Sequence, residues 1–329
     1  MKKVILCFLM LCSAGVAKAQ YIPAWEPDSM RLTIADVEYW HPKNRFKHLE
    51  ASLTVGTTGI GIDIATPISQ YVQIRAGYDY MPRFHRKYRF DVQGDGQAPS
   101  KYDDSGNRQE TQFSKIANYM YKNYGSDLAD YVDLKGKLTM SNFKLLVDVY
   151  PFQYDKAWHI TAGIYWGPRE FARMDNVPEA ETTFKIIQQY NEIYRSASDG
   201  DEVKSYGLLS IGMGNYSHNF KQGNKECLMN GAYQMEPSAE CTVEISGTSN
   251  AIKPYIGLGY GGRLLPKRND WKITGELGVL IWGGTPSQIT HDNTNLSKDV
   301  KDYPHKITGI IKALKVYPVL SVRIAKTIF

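Results

Sequence analysis

The clearest pattern in the chain runs from Pro254 to Gly283. Two alternating segments flank a polar turn, Pro266 to Asp270. In the first, Ile256, Leu258, Tyr260 and Leu264 share one face, and Tyr255, Gly257, Gly259, Gly261 and Arg263 the other. In the second, Trp271, Ile273, Leu277, Val279 and Ile281 alternate with Lys272, Thr274, Glu276 and Gly278. Successive side chains of a strand point to opposite faces, so each segment is a strand with one apolar and one small or charged face. A soluble sandwich hides its apolar face in a core. Here the apolar faces end in aromatic residues and the opposite faces carry glycine and opposed charges. That combination predicts a closed barrel with lipid outside and a polar interior.

The same pattern recurs along the chain. Tyr71 to Met81 sets Val72, Ile74, Ala76, Tyr78 and Tyr80 against Gln73, Arg75, Gly77 and Asp79. Lys137 to Pro151 sets Phe143, Leu145, Val147 and Val149 against Lys144, Leu146, Asp148 and Tyr150. Trp158 to Trp166 places a tryptophan at each end of one apolar face, with His159, Thr161, Gly163 and Tyr165 on the other. This is what an interfacial girdle requires, because indole joins an apolar body to one polar donor. Lys315 to Phe329 closes the chain, with Leu320, Val322, Ile324 and Ile328 facing out and Ser321, Arg323, Ala325 and Thr327 facing in. Leu49 to Pro67 changes phase at Gly56 to Gly59. A one-residue slip reverses every side chain, so a bulge or a turn belongs there.

These segments make seven strands. Splitting the first, or adding Arg31 to Trp40, makes eight, and recruiting strands from the long excursions makes ten. The fold expected is an all-β, antiparallel, up-and-down transmembrane β-barrel of eight strands, with ten as the alternative. Three connections are tight: Ser69-Gln70, Phe152 to Lys156, and Pro266 to Asp270. The others are long, at about residues 83–136, 168–252 and 284–315. Short periplasmic turns opposite long extracellular loops are the asymmetry of outer-membrane barrels. Two loops are partly helical: Phe113, Ile116, Ala117, Met120, Tyr121 and Tyr124 fall at helical spacing, as do Phe184, Ile187, Tyr190 and Tyr194 within Pro178 to Ser196. Tyr206 to Tyr216 reads as extended. The runner-up architecture is a soluble exported β-sandwich.

The N-terminus adds the export route. Lys2 and Lys3 precede the apolar run Val4 to Val16, and Ala17-Lys18-Ala19 follows, so residues 1–19 read as a signal peptide. The run is too short for a membrane-spanning helix. Residues 20–48, rich in proline and aromatics, form a lead-in, and 49–329 the barrel with its loops. Removing Lys2, Lys3 and Lys18 leaves 36 basic against 34 acidic residues, a net charge of +2. That balance gives no reason to expect nucleic acid. Of the four cysteines, Cys227 and Cys241 stay in the mature chain, and an even pair in an exported protein predicts a disulfide.

Several short motifs resemble a known group. Gly56-Thr57-Thr58-Gly59-Ile60-Gly61, Arg75-Ala76-Gly77, Met81-Pro82, Val149-Tyr150-Pro151-Phe152, His159 to Gly163, Lys253 to Gly259, Glu276-Leu277-Gly278 and Arg323 to Phe329 together resemble β-barrel outer-membrane proteins found across Bacteroidales. The resemblance covers the strand regions and leaves the long loops unmatched. It implies fold and compartment, the outer membrane, and not an activity. One departure is that Phe329 stands out of phase with the apolar face of the last strand.

The inward faces gather Asp63, Arg75, Asp79, Lys144, Asp148, His159, Lys272, Glu276 and Arg323. In a small barrel such groups pair and fill the lumen; Arg75 and Glu276, of opposite sign, are expected members of that network. A proton or solute path along them is the functional alternative. His159 is the candidate base of a barrel enzyme, and Ser217-His218 lies in a loop without a placed acid. Arg83, Arg86, Lys87 and Arg89, interleaved with Phe84, Tyr88 and Phe90, suit lipopolysaccharide phosphates at an outer rim, since the guanidinium fork matches phosphate oxygens. No CxxC pair, HExxH or P-loop appears, and no metal or cofactor is expected. The function expected is non-enzymatic: structural, adhesive or part of an envelope complex. The alternatives are a narrow pore and a barrel enzyme acting on lipid or peptide. The partners expected are outer-membrane lipid, lipopolysaccharide and, for insertion, the barrel-assembly machinery.

Overall fold

The computed structural model describes residues 48–69, 71–99, 109–152, 157–265, 268–304 and 315–328. The signal peptide, nearly all of the lead-in with its Arg31 to Trp40 segment, and Phe329 lie outside the described residues. The chain begins with β1 (Glu50–Gly56), β2 (Gly59–Pro67) and β3 (Val72–Tyr80). It leaves the barrel through β4 (His85–Gly94), α1 (Gln112–Tyr124) and β5 (Tyr131–Leu138), and returns as β6 (Asn142–Val149) and β7 (Trp158–Trp166). The longest excursion holds β8 (Glu170–Asn176), α2 (Glu181–Ser196), β9 (Leu209–Tyr216), β10 (Phe220–Gln222), β11 (Lys225–Cys227), β12 (Ala232–Met235) and β13 (Glu244–Thr248). After β14 (Ile252–Leu265) and β15 (Arg268–Ile281) come β16 (Ser287–Thr290), α3 (Leu296–Asp299), β17 (Val300–Lys301) and finally β18 (Val316–Thr327).

Eight strands, β1, β2, β3, β6, β7, β14, β15 and β18, close into one antiparallel barrel. Closure comes from β1 against β18, with Glu50 opposite Thr327 and Gly56 opposite Ser321. The phase change in the first segment is a turn: Gly56 pairs with Gly59, and only Thr57 and Thr58 lie between. Gly59 has φ +112°, and a Cβ there would sit 2.2 Å from the Tyr80 carbonyl oxygen, so no side chain fits.

Outside, the barrel is a belt of apolar side chains that no protein covers. Ile62 is 66% exposed, Ile256 53% and Leu145 50%, while the inward neighbours of each are buried. Contiguous apolar surface of this extent is not tolerated in water by a soluble monomer. It fits hydrocarbon, and it excludes the sandwich. Aromatic residues frame the belt. At one end Tyr78, Phe143 and Trp166 are register neighbours on β3, β6 and β7, with ring centroids 4.8 and 6.1 Å apart. At the other, Trp158 meets Tyr260 at 4.8 Å, and the Lys326 ammonium lies 5.5 Å from the Trp271 ring centroid. From Trp158 to Trp166 the strand covers about 26 Å, which a tilt of about 40° shortens to roughly 20 Å, close to the apolar height of outer-membrane barrels. The chain is therefore an outer-membrane protein.

The tight connections β2–β3, β6–β7 and β14–β15 lie at the Trp158 end. The three excursions lie at the Trp166 end, which the length asymmetry makes extracellular. The β1–β2 turn shares that end and is the one short connection there. The excursions are more than partly helical loops. Strands from all three join one sheet in the order β12, β9, β4, β5, β8, β13, β16, with β17 also on β9. β10 and β11 form a separate hairpin. Phe113, Ile116 and Met120 of α1 and Phe184, Ile187 and Tyr190 of α2 bury against Phe90, Val92, Leu134, Leu209 and Ile211 of the sheet. Thr111 and Ser114 form a capping box at the start of α1, and Gly125 ends it in the left-handed conformation. The buried Asn191 of α2 bonds both the N–H and the carbonyl of Leu209, at 2.9 Å each, and so fixes the helix to β9. The excursions thus make a folded cap with its own core.

Candidate functional site

The barrel interior is built by alternation and by glycine. Gly77 stands in register between Asp63 of β2 and Lys144 of β6. A Cβ on Gly77 would come within 2.0 Å of an Asp63 carboxylate oxygen, so its absence opens the passage by which Lys144 reaches that acid. Gly61 makes the same room beside Asp79, and Gly259 beside His159, where a Cβ would lie 2.2 Å from the imidazole ring. The lumen face is small where a neighbour is large, and the charged side chains fill the space.

Two nodes result. In one, Lys144 Nζ lies 2.7 Å from Asp63 and 2.6 Å from Asp79, with Thr54 donating to Asp63 at 2.6 Å and Thr58 to Asp79 at 2.8 Å. In the other, the Arg75 guanidinium crosses the lumen between Asp148 at 3.0 Å and Glu276 at 2.8 Å. Thr161 donates to Asp148 at 2.8 Å and Tyr255 to Glu276 at 2.5 Å. His159 Nε2 stands 3.9 Å from Glu276, and Arg323 Nη1 3.9 Å from Asp148. At the periplasmic end Lys272 meets Glu50 at 2.5 Å, and Glu50 accepts from Gln73 at 2.9 Å. At the cap end the buried Lys253 ammonium donates to Asn142 at 3.2 Å and to the Pro168 carbonyl at 3.3 Å. Above the Arg75 node an apolar layer of Leu146, Tyr165, Tyr255, Leu280 and Val319 packs across the interior.

All eight inward charges singled out by alternation, Asp63, Arg75, Asp79, Lys144, Asp148, Lys272, Glu276 and Arg323, sit in this lumen. Glu50, Lys253 and Asn142 belong with them and were missed. Glu50 opens the first strand, next to the lead-in, where alternation has too few residues to assign it. What the arrangement does chemically is hold opposite charges in contact away from water. Arg75 is 2% exposed, and Asp148 is fully buried.

Other candidates are dispersed. The expected disulfide is absent: Cys227 and Cys241 are free thiols. Cys227 is buried in the cap core, while Cys241 lies in a turn and donates to Gln188 Oε1 at 2.7 Å. An even count in an exported chain supplies no geometry, and here the cap core holds the excursion instead. The four basic residues at the outer rim do not form one patch. Along β4, Arg86 shares a face with Tyr88 and Phe90, whereas Lys87 and Arg89 share the other. Lys87 faces Glu179 at 3.8 Å; Arg89 meets Asp133 at 3.4 Å and stacks 3.7 Å from the Tyr131 ring centroid. Arg83 is exposed just before the strand. Ser217 Oγ lies 3.0 Å from His218 Nδ1 and also donates to the Lys298 carbonyl at 3.1 Å, while His218 Nε2 stands 3.4 Å from Asp299. With the Ser217 N–H on the Asp299 carbonyl, these groups clasp α3 to the end of β9. Among the described residues no cluster of three or more His, Cys, Asp or Glu is placed to hold a metal ion.

The cap holds a tight polar centre at Asp292. Asp292 accepts from the Tyr233 hydroxyl at 2.8 Å, from the Thr290 hydroxyl at 2.5 Å and from the Thr294 N–H at 3.0 Å. Burial opposes its charge, but these donors prevail and hold its carboxyl below the usual aspartate range. Burial and the same carboxylate push the Tyr233 phenol well up.

No family model and no curated protein matches the chain. Among solved structures it is similar to CarO2 and CarO of Acinetobacter baumannii, at 16% and 15% identity. These alignments cover 85% and 87% of this chain and 98% and 99% of theirs, each with a TM-score of 0.35. It is also similar to a major outer membrane protein from Thermus thermophilus at 10% identity, over 85% of this chain and 98% of the other, with a TM-score of 0.26. The membrane placement rests on this chain's own apolar belt and charged lumen.

Proposed function

We propose that this outer-membrane barrel is a non-enzymatic anchor that displays its cap, a binding module, at the cell surface as a structural, adhesive or envelope-complex component. The observation that carries the reading is the filled lumen. Arg75 spans it between carboxylates on β6 and β15, and an apolar layer lies directly above. A solute path would have to part ion pairs whose charges are buried. The second support is where the chain invests its residues. Three excursions are assembled into a single sheet with two packed helices, which is more structure than closing a barrel requires. We propose further that the protein belongs with the Bacteroidales barrels its strand motifs resemble, that residues 1–19 are cleaved on export, and that the barrel-assembly machinery inserts it. Lipopolysaccharide contact is proposed for Arg83 alone, since Lys87 and Arg89 have protein partners and Arg86 lines the groove of the cap sheet.

Planar-bilayer recording of the purified protein tests the main reading. The expected result is a silent bilayer across the physiological voltage range. Steady unitary conductance that falls when Glu276 is replaced by Gln would establish the pore instead. A lipid-modifying activity lost on His159→Ala would establish the enzyme.

A further inference from the structure

Among the described residues, α1 and α2 cover only half of the apolar face of the cap sheet. Where Phe90, Val92 and Leu134 lie, α1 and α2 pack over it. Towards the barrel the same face continues through Tyr88, Arg86 and Phe84, and neither helix contributes to its lining. It opens there into a groove of about 290 Å³ whose walls include Phe84, Tyr88, Leu138, Met174, Ile245 and Leu296. Phe84 is 77% exposed, an unusual position for a phenylalanine on the water side of a membrane protein. The groove stands at the extracellular side of the girdle, since Phe84 follows the belt residue Tyr80 by only four positions.

Charge selects the occupant. Three cations, Arg86, Lys137 and Arg173, line the groove, and no carboxylate does. Lys137 is neutralised by Asp175 at 2.5 Å, and Arg173 by Glu170 at 2.7 Å and Glu244 at 3.1 Å. Arg86 lies 5.8 Å from the centroid of the Tyr88 ring and has no ion pair among the described residues. Among the described residues the site therefore offers a long apolar floor and one guanidinium without a counter-charge. We propose that it binds a single-chain carboxylate amphiphile, a medium-chain fatty acid arriving from the external medium, with its chain along the floor and its carboxylate on Arg86. A single charge fits one carboxylate better than a bisphosphorylated lipid headgroup. The groove also lies beyond the girdle, where a bilayer lipid has its head and not its chains. The inference rests on the reading of the cap as a binding module. A failure to bind this class of ligand leaves the silent-barrel result untouched.

The full-length protein in phosphatidylcholine nanodiscs is dialysed against radiolabelled decanoate, with empty nanodiscs subtracted. The expected result is saturable one-to-one binding. Arg86→Gln weakens it about ten-fold or more, the loss of a charge-assisted contact, and Arg86→Lys restores part. Decanol binds the wild type about as weakly as decanoate binds the Arg86→Gln variant. Ala172→Phe, which fills the floor, abolishes both while detergent-gel mobility and circular dichroism stay unchanged. No saturable binding above empty discs, an unchanged affinity in Arg86→Gln, or equal competition by decyltrimethylammonium overturns the proposal. Complete displacement by phosphatidylglycerol in the disc overturns the external source in favour of a bilayer lipid.

Discussion

Replacing Arg75 by methionine removes the cation from the centre of the barrel while keeping most of its volume. Asp148 keeps a hydrogen bond from Thr161 and a distant Arg323, but Glu276 is left with Tyr255 and with His159 at 3.9 Å. Both carboxylates are buried. Removing one partner of a buried ion pair costs about 3–5 kcal/mol, because the survivor stays desolvated without compensation. Two acids depend on Arg75, so the upper half of that range is expected. The assay is urea unfolding of the barrel refolded into phosphatidylcholine vesicles, followed by tryptophan fluorescence. Adding Glu276→Gln to Arg75→Met removes one stranded charge and should recover about 1–3 kcal/mol, the desolvation cost of one polar group. A loss below about 1 kcal/mol in the single variant, typical of a solvated pair, would mean that water reaches the network and that the lumen is open.

Three further outcomes are expected. Gly59→Ala places a Cβ against the Tyr80 carbonyl at a left-handed φ, so the β1–β2 turn should lose about 1–3 kcal/mol, seen as a lower melting temperature of the detergent-gel mobility shift. Asp292 has a depressed carboxyl pKa in the folded cap. Its stabilisation is complete above the ordinary aspartate value and is lost as pH falls through the lower, folded value. The hydrogen-exchange protection factors of β12 and β16, taken relative to intrinsic exchange at each pH, should fall in acid, and Asp292→Asn should flatten that dependence. Alkylation of the native protein without reductant should label Cys241 and spare Cys227 until denaturation, whereas a bridged pair would resist labelling in both states.

The barrel was legible because its strands carry two environments at once. A period of two leaves an inward and an outward side and nothing else, so Val72 and Ile160 sort with lipid, and Arg75 and Glu276 with the lumen. Pairing within the lumen was only partly legible, because it depends on register. That Lys144 reaches Asp63 follows from Gly77 lying between them, which no single strand reveals. The cap was the least legible part. Its sheet joins segments far apart in the chain, such as Ile245 with Met174 and Val92 with Ile211. β4 reads as a basic loop because its solvent face carries His85, Lys87 and Arg89, while its buried face shows only Phe90 and Val92 as strong hydrophobics. The helices α1 and α2 were visible because a helix writes its pattern within one short stretch.

The central claim is that hydrocarbon is the solvent of the outer faces and that the inner faces are sealed. A nitroxide scan of β7 from Trp158 to Trp166, in lipid vesicles and with Cys227 and Cys241 replaced, measures this at each position. Even-numbered positions should show fast collisions with oxygen and slow ones with a water-soluble nickel chelate, and odd-numbered positions should be shielded from both. Shielding of positions 160 and 164 from oxygen, or nickel access at 159 and 161, would contradict the account.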